Sequence, residues 1–331
     1  MKIKVYIGYA FILGIFISCA SRPAMVMAPP PETAMESVIY RIQENPPEID
    51  RYFILDETGD IVVKAELSET EHFEVVYHMK NSSFDKSITP GIIDGYWIPF
   101  TVKSLDTGEV RQNHFFWSPR EDDSGLLLTF DDDFFETWER NFDLFDQYGA
   151  AVTFFVQGEY DPFCIAALER GHDVGYHTIN HLNLPKVSSE VFNEETSSQT
   201  EIFRNAGVPL TSFAYPFGLS EPWMHEELLK TYKILRGYGV TFRLYDRAQI
   251  RDGYIISKAL DNILFKQDEG FEAIVDLMFR TVKFLGRDLI LPLTSHEISD
   301  SADWGIKPRR LEYLLQSAND LQLNFYRFKD F

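Results

Sequence analysis

At residues 126–135 the chain reads LLLTFDDDFF, an apolar run that stops on three consecutive carboxylates, Asp131, Asp132 and Asp133. Adjacent aspartates repel one another and resist burial, so the cluster calls for a positive partner, and a metal ion is one. Further along, His177 and His181 in HTINH stand at i and i+4, a spacing from which two imidazoles reach one cation out of a single turn or tight loop. Two imidazoles and a carboxylate leave coordination positions open for water and substrate, as a catalytic divalent metal requires. Taken alone, the same donor set also describes a non-haem iron(II) oxygenase.

The elements that must carry these residues follow from the hydrophobic rhythm. LLLTF, AAVTFFV, HDVGYH, SFAYPFG, KILRGY and DLILPLTSH read as short strands, and LNFYRF closes the chain. Phe135, Trp138, Phe142 and Phe145, at spacings of 3, 4 and 3, predict an amphipathic helix; CIAALERG predicts a short one stopped by Gly171. EGFEAIVDLMFRTVKFLG and LEYLLQSANDLQ add two more helical segments. Alternating strands and helices imply an α/β fold with a parallel sheet, and about seven such units predict a barrel rather than an open sheet. Functional residues of such a barrel gather at the C-terminal ends of its strands. Asp131 and Asp132, His177, Phe217 with Gly218, and His296 all fall there.

Upstream the composition changes. Residues 51–120 carry alternating runs such as EHFEVVYHM and GYWIPFTVKSL between turn signals, predicting a small antiparallel β domain ahead of a second domain at 121–331. Trp97 and Trp117 in that region are suited equally to packing and to stacking on a sugar. Residues 20–50 are polar and proline-rich and read as an extended tether. Residues 1–19 combine Lys2 and Lys4 with an apolar stretch of 13 residues and end on Ser18 and Cys19. That is too short for a membrane span and is the length of a signal-peptide core. Its end resembles a bacterial lipoprotein cleavage site, which would make Cys19 the lipidated residue and the protein an exported, membrane-anchored lipoprotein, periplasmic or at the cell surface. With 31 basic against 51 acidic residues the net charge is −20, which argues against nucleic acid or an anionic surface as partner. No protein partner can be inferred.

TFDD (Thr129–Asp132), GHDVGYHTINH (Gly171–His181), FAYPFG (Phe213–Gly218) and LTSH (Leu293–His296) resemble, in order and spacing, the motifs of the polysaccharide deacetylase family, carbohydrate esterase family 4, which includes chitooligosaccharide deacetylases. The resemblance spans about residues 123–331. It implies a distorted (β/α) barrel and a divalent metal, most often zinc, with cobalt, nickel or manganese as substitutes. It implies removal of N- or O-acetyl groups from an acetylated glycan such as peptidoglycan or poly-N-acetylglucosamine. Carried across residue by residue, Asp132, His177 and His181 are the metal ligands, Asp131 the general base and His296 the general acid. The backbone N–H of Phe217 then shares the charge of the tetrahedral intermediate.

Two positions depart from the pattern. Asp133 replaces the usual glycine after the aspartate pair, and Ala214 stands where many members carry the arginine that pairs with the catalytic aspartate. Arg236 or Arg251 could supply that cation from another strand. For the carboxylate that orients His296, Asp246 and Asp252 are candidates by chain order alone. A catalytically silent glycan-binding envelope lipoprotein on the same fold is the alternative reading.

Overall fold

The computed structural model describes residue 35, residues 54–55, 61–68, 71–77, 85–87 and 95–117, and residues 123–331 except 241, 286 and 287. The leader with Cys19 and nearly all of the tether lie outside the described residues, as do the side chains of Trp97 and Trp117. Among the described residues no helix is long and apolar enough to cross a membrane. The chain divides into two compact units, Met1–Ser118 and Pro119–Phe331.

The first unit contains an antiparallel sheet of six strands: β1 (Ile54–Leu55), β2 (Ile61–Ser68), β3 (Glu71–Tyr77), β4 (Asp85–Ser87), β5 (Gly95–Ser104) and β6 (Val110–Trp117). β5 is its hub, pairing with β6 along one edge and with β3 and β4 along the other.

The second unit is a closed barrel of seven parallel strands with helices outside it: β7 (Gly125–Asp132), β8 (Thr153–Val156), β9 (Asp173–Tyr176), β10 (Ser212–Ala214), β11 (Ile234–Gly239), β12 (Tyr254–Ala259) and β13 (Ile290–Ser295). Pairing of β13 with β7, from Ile290↔Gly125 to Ser295↔Phe130, shuts it. Residues of β7 from Gly125 to Asp131 are buried on both faces, which is why LLLTF is an unbroken apolar run rather than an alternating one.

Three expectations about this unit are revised. YIISKA, which the hydrophobic pattern does not single out, is the stave β12, paired with β11 and β13. LNFYRF supplies only a two-residue strand (Asn324–Phe325) beside the start of β7, in the gap below β8, which distorts the ring. The predicted helix over Phe135–Phe145 is also broken into α1 (Phe135–Glu139) and α2 (Phe142–Gln147). Asn141 is the cause: its side-chain amide donates to the Thr137 carbonyl at 2.7 Å, competing with the helical ladder. Trp138, Phe142 and Phe145 stay buried across the break.

Candidate metal centre and its proton carriers

The C-terminal end of β7 delivers Asp131 and Asp132 to opposite environments. Alternation along the strand turns Asp131 into the barrel, where it is buried, and leaves Asp132 half-buried at the mouth. Asp133 is exposed to solvent, and its charge acts on Asp132 and His181.

Asp132 meets the two histidines. Its Oδ1 lies 3.5 Å from Nε2 of His177 and 3.5 Å from Nε2 of His181. These are not ion pairs, because burial drives the His177 pKa down to about 3 and also lowers that of His181. The three ligand atoms lie within 4.8 Å of one another. Tetrahedral zinc, with bonds of roughly 2.0–2.2 Å, separates its ligand atoms by about 3.4 Å, close to what is found. Two further observations fit a cation here. Asp132 Oδ1 is buried without a hydrogen-bond partner, and burial, with Asp131 and Asp133 adding, pushes its carboxyl up to about 6. Nδ1 of His177 is 2.8 Å from the Ala214 carbonyl and donates to it, which leaves the Nε2 lone pair for the metal.

The loop that presents the histidines is held in an unusual backbone. Among the described residues six non-glycine residues have positive φ, and four are at this site: Asp132 (86°), Thr178 (70°), His181 (54°) and Phe217 (58°). Left-handed φ at a β-branched residue such as Thr178 needs its surroundings to enforce it. Thr178 Oγ1 accepts from the His181 N–H at 3.1 Å, and the buried Glu195 accepts from both the backbone and side-chain N–H groups of Asn180, at 2.9 and 2.6 Å. Sequence reasoning missed Glu195, which lies on a separate helix (Ser189–Ser197) with no spacing signal linking it to the loop.

Asp131 pairs with Arg236, whose Nη2 donates to Asp131 Oδ1. Both groups are buried, and the guanidinium also lies over the Phe155 ring at 5.0 Å. Burial alone would raise the Asp131 pKa, but the charge of Arg236, with that of His296 adding, outweighs it and holds the carboxyl below its ordinary value. Arg236 is the parallel-register neighbour of Ala214, so the cation absent from β10 comes from the position beside it on β11. Arg251 plays no part in that pair; it is exposed and its Nε donates to the Phe331 carbonyl at 3.4 Å.

His296 follows β13, and its Nδ1 donates to Oδ1 of Asp261 at 2.8 Å. Asp261 is fully buried and also accepts from Ser295 Oγ at 2.9 Å. Burial opposes protonation of His296, yet the hydrogen bond and charge of Asp261, with Asp131 and Asp132 adding, carry its pKa up to about 9. Asp261 therefore replaces both carboxylates suggested by chain order. Asp246 instead caps the helix Arg247–Arg251, accepting from Gln249 N–H, and Asp252 closes that helix.

Phe217 lies in the tight turn Pro216–Gly218 after β10, half exposed, with its ring 4.5 Å from that of His181. Gly218 is required there: its φ is +66° and a Cβ would come within 2.8 Å of the Tyr238 backbone.

The polysaccharide deacetylase family model matches residues 119–237. That segment belongs to the polysaccharide deacetylase family. The deacetylase match takes in Asp131, Asp132, His177, His181, Phe217 and Arg236 and ends before Asp261 and His296. No curated protein matches the chain. Among solved structures similar to this chain, a family 4 carbohydrate esterase from Streptomyces lividans in complex with acetate is 17% identical, with 62% of this chain and 93% of that one covered, at a TM-score of 0.45. The peptidoglycan deacetylase PdaC from Bacillus subtilis is 17% identical, with 63% and 91% covered, at 0.44. The chitin deacetylase from the fungal pathogen Colletotrichum lindemuthianum is 15% identical, with 64% and 88% covered, at 0.46.

Proposed function

We propose that this chain is a metal-dependent deacetylase that removes N-acetyl, or O-acetyl, groups from an extracytoplasmic glycan such as peptidoglycan or poly-N-acetylglucosamine. One observation carries the reading: beside a two-histidine, one-carboxylate ligand set stand two proton carriers whose partners push their pKa values apart, Asp131 with Arg236 and His296 with Asp261. A structural metal site needs neither carrier.

Asp132, His177 and His181 would hold the ion, zinc being the choice that suits the nitrogen and oxygen donors. When bound it supplies Lewis-acid polarisation of the acetyl carbonyl and a lowered pKa for water. Asp131, kept ionised by Arg236, accepts the proton of the attacking water. The Phe217 N–H donates to the oxygen on which negative charge develops. His296, kept protonated by Asp261, gives its proton from Nε2 to the departing nitrogen, which is a poor leaving group until protonated. Residues 121–331 are the catalytic domain in this reading, residues 51–120 a separate β domain, and residues 20–50 the tether. Cys19 carries the lipid that keeps the protein at a membrane outside the cytoplasm.

The test is acetate release by the full chain in detergent micelles from N-acetylglucosamine oligomers and from peptidoglycan, with zinc added and after chelation. Zinc-dependent release that disappears in Asp131→Asn is expected. Glycan binding without acetate from any of these substrates would overturn the enzyme in favour of the silent binding protein.

A further inference from the structure

We infer that Trp304 is a stacking platform for the pyranose next along the chain from the one that loses its acetyl group, so that the site takes oligomeric glycan in preference to a single sugar. This rests on the deacetylase reading. Trp304 is 52% exposed, and its indole stands nearly perpendicular to the His296 ring, with centroids 6.1 Å apart and planes at 76°. One perpendicular ring covers at most one face of the indole, and with half of the residue exposed the other face is open to the apolar face of a pyranose.

The loop bearing Trp304 is pinned rather than loose. Asn262, next to the Asp261 that orients His296, donates from Nδ2 to the carbonyls of Ala302 and Ser299 at 2.8 and 3.4 Å. Its Oδ1 accepts from the Lys307 N–H at 3.2 Å and from Arg310 Nη1 at 3.0 Å, and Ile263 N–H donates to the Asp303 carbonyl at 3.0 Å. The two short strands either side of the loop (Glu297–Ile298 and Gly305–Ile306) approach so closely that a Cβ on Gly305 would lie 2.2 Å from the Glu297 carbonyl oxygen. A loop whose backbone is already fixed has little backbone freedom left to lose when a ligand arrives.

Trp223 provides the contrast. It is also exposed, but its ring packs on Phe192 at 4.9 Å and its N–H donates to Glu221 at 2.7 Å, so the protein itself uses it. No such tie holds the Trp304 indole N–H among the described residues, and it stays available to a glycan hydroxyl.

The neighbouring rings set which sugar reaches Trp304. Tyr238 stands 6.1 Å from His296, and its hydroxyl is near enough to Asp261, Asp131 and Asp132 for their charges to add to burial in raising its pKa. Tyr238 and, on the His181 side, Phe217 therefore border the sugar under reaction, while the ring that Trp304 meets among the described residues is that of His296, the proton donor to the leaving group. Asp300 and Asp303 on that loop are exposed and would repel an anionic polymer, which favours neutral or partly deacetylated, cationic chains.

The test is calorimetric titration of the zinc-loaded full chain in detergent micelles with N-acetylglucosamine and its oligomers up to the hexamer, with acetate assayed in the same samples. Affinity should rise with chain length, and Trp304→Ala should lose about tenfold for the longer oligomers while barely altering the monomer. Trp304→Phe should recover most of the loss, and Trp223→Ala should match the parent. Equal affinities of parent and Trp304→Ala at every length, or no length dependence in the parent, would overturn the inference. The acetate readout separates the two readings: release with a Trp304-independent affinity removes only the platform, and Trp304-dependent binding without release removes only the enzyme.

Discussion

Asp131 with Arg236 and His296 with Asp261 solve the same problem in opposite settings. Each places a titratable side chain beside a partner of opposite charge that comes from, or just beyond, a different strand. The Asp131 pair is sealed inside the barrel, with the guanidinium crossing from β11 to β7 and covered by Phe155. The His296 pair stands at the rim, where Asp261 is buried but His296 faces Tyr238 and Trp304 at the mouth. Asp131 is thereby held ionised away from solvent and His296 protonated at the mouth, as the base and acid of the proposed reaction need. The comparison teaches that partner charge, not burial, decides both protonation states: burial pushes each group toward its neutral form, and in each the partner overrides it.

The largest effects should come from removing the chemistry itself. Chelation of the metal, or Asp131→Asn, is expected to lower kcat by roughly a thousandfold or more, measured as acetate release. Restoration by zinc after chelation, and its failure in Asp131→Asn, would distinguish the two.

Next comes Arg236→Met, which keeps the volume but strands Asp131 as a lone buried acid. Loss of one partner of a buried pair costs about 3–5 kcal/mol, so the melting temperature at neutral pH should fall sharply. The acid limb of kcat/KM should move to higher pH as the Asp131 pKa rises. Adding Asp131→Asn to Arg236→Met should restore much of the stability, because no charge is then left unpaired.

Asp261→Asn should act on the other limb alone. His296 has a folded pKa raised to about 9, so its contribution to stability is complete below its unfolded value, roughly 6.5, and is lost as pH rises through about 9. Asp131 is the reverse case: its folded pKa is lowered, so its contribution is present above roughly 3.8 and is lost as pH falls below that. Removing Asp261 should flatten the alkaline loss of stability and pull the alkaline limb of activity toward the ordinary histidine range. The smallest effect belongs to Asp133→Gly. The side chain is exposed, so activity and stability should change by no more than about twofold, a surface substitution's usual range.

The parts legible in the sequence were those carried by short local patterns. Asp131, Asp132 and the His177/His181 pair lie at the ends of apolar runs, and the structure brings Asp132, His177 and His181 together. Asp261 was hidden because its strand was hidden. YIISKA has only four apolar residues, interrupted by Ser257 and Lys258, and both of those are buried for reasons of packing that no local pattern reports. With β12 unread, the carboxylate just beyond its end had no strand to follow, and chain order pointed to the helix-flanking Asp246 and Asp252 instead. Arg236 was harder to choose over Arg251, because a parallel register between strands separated by a helix leaves no trace in sequence. Glu195 and the pinned Trp304 loop are long-range in the same sense: their partners, Asn180 and Asn262, lie 15 and about 40 residues away.

The most direct test is the pH profile of kcat/KM for acetate release by the zinc-loaded full chain, compared with Arg236→Met and Asp261→Asn. The expected result is a bell whose acid limb moves upward only in Arg236→Met and whose alkaline limb moves downward only in Asp261→Asn. A bell left unmoved by both substitutions, or one whose two limbs move together in either, would contradict the assignment of Asp131 as base and His296 as acid.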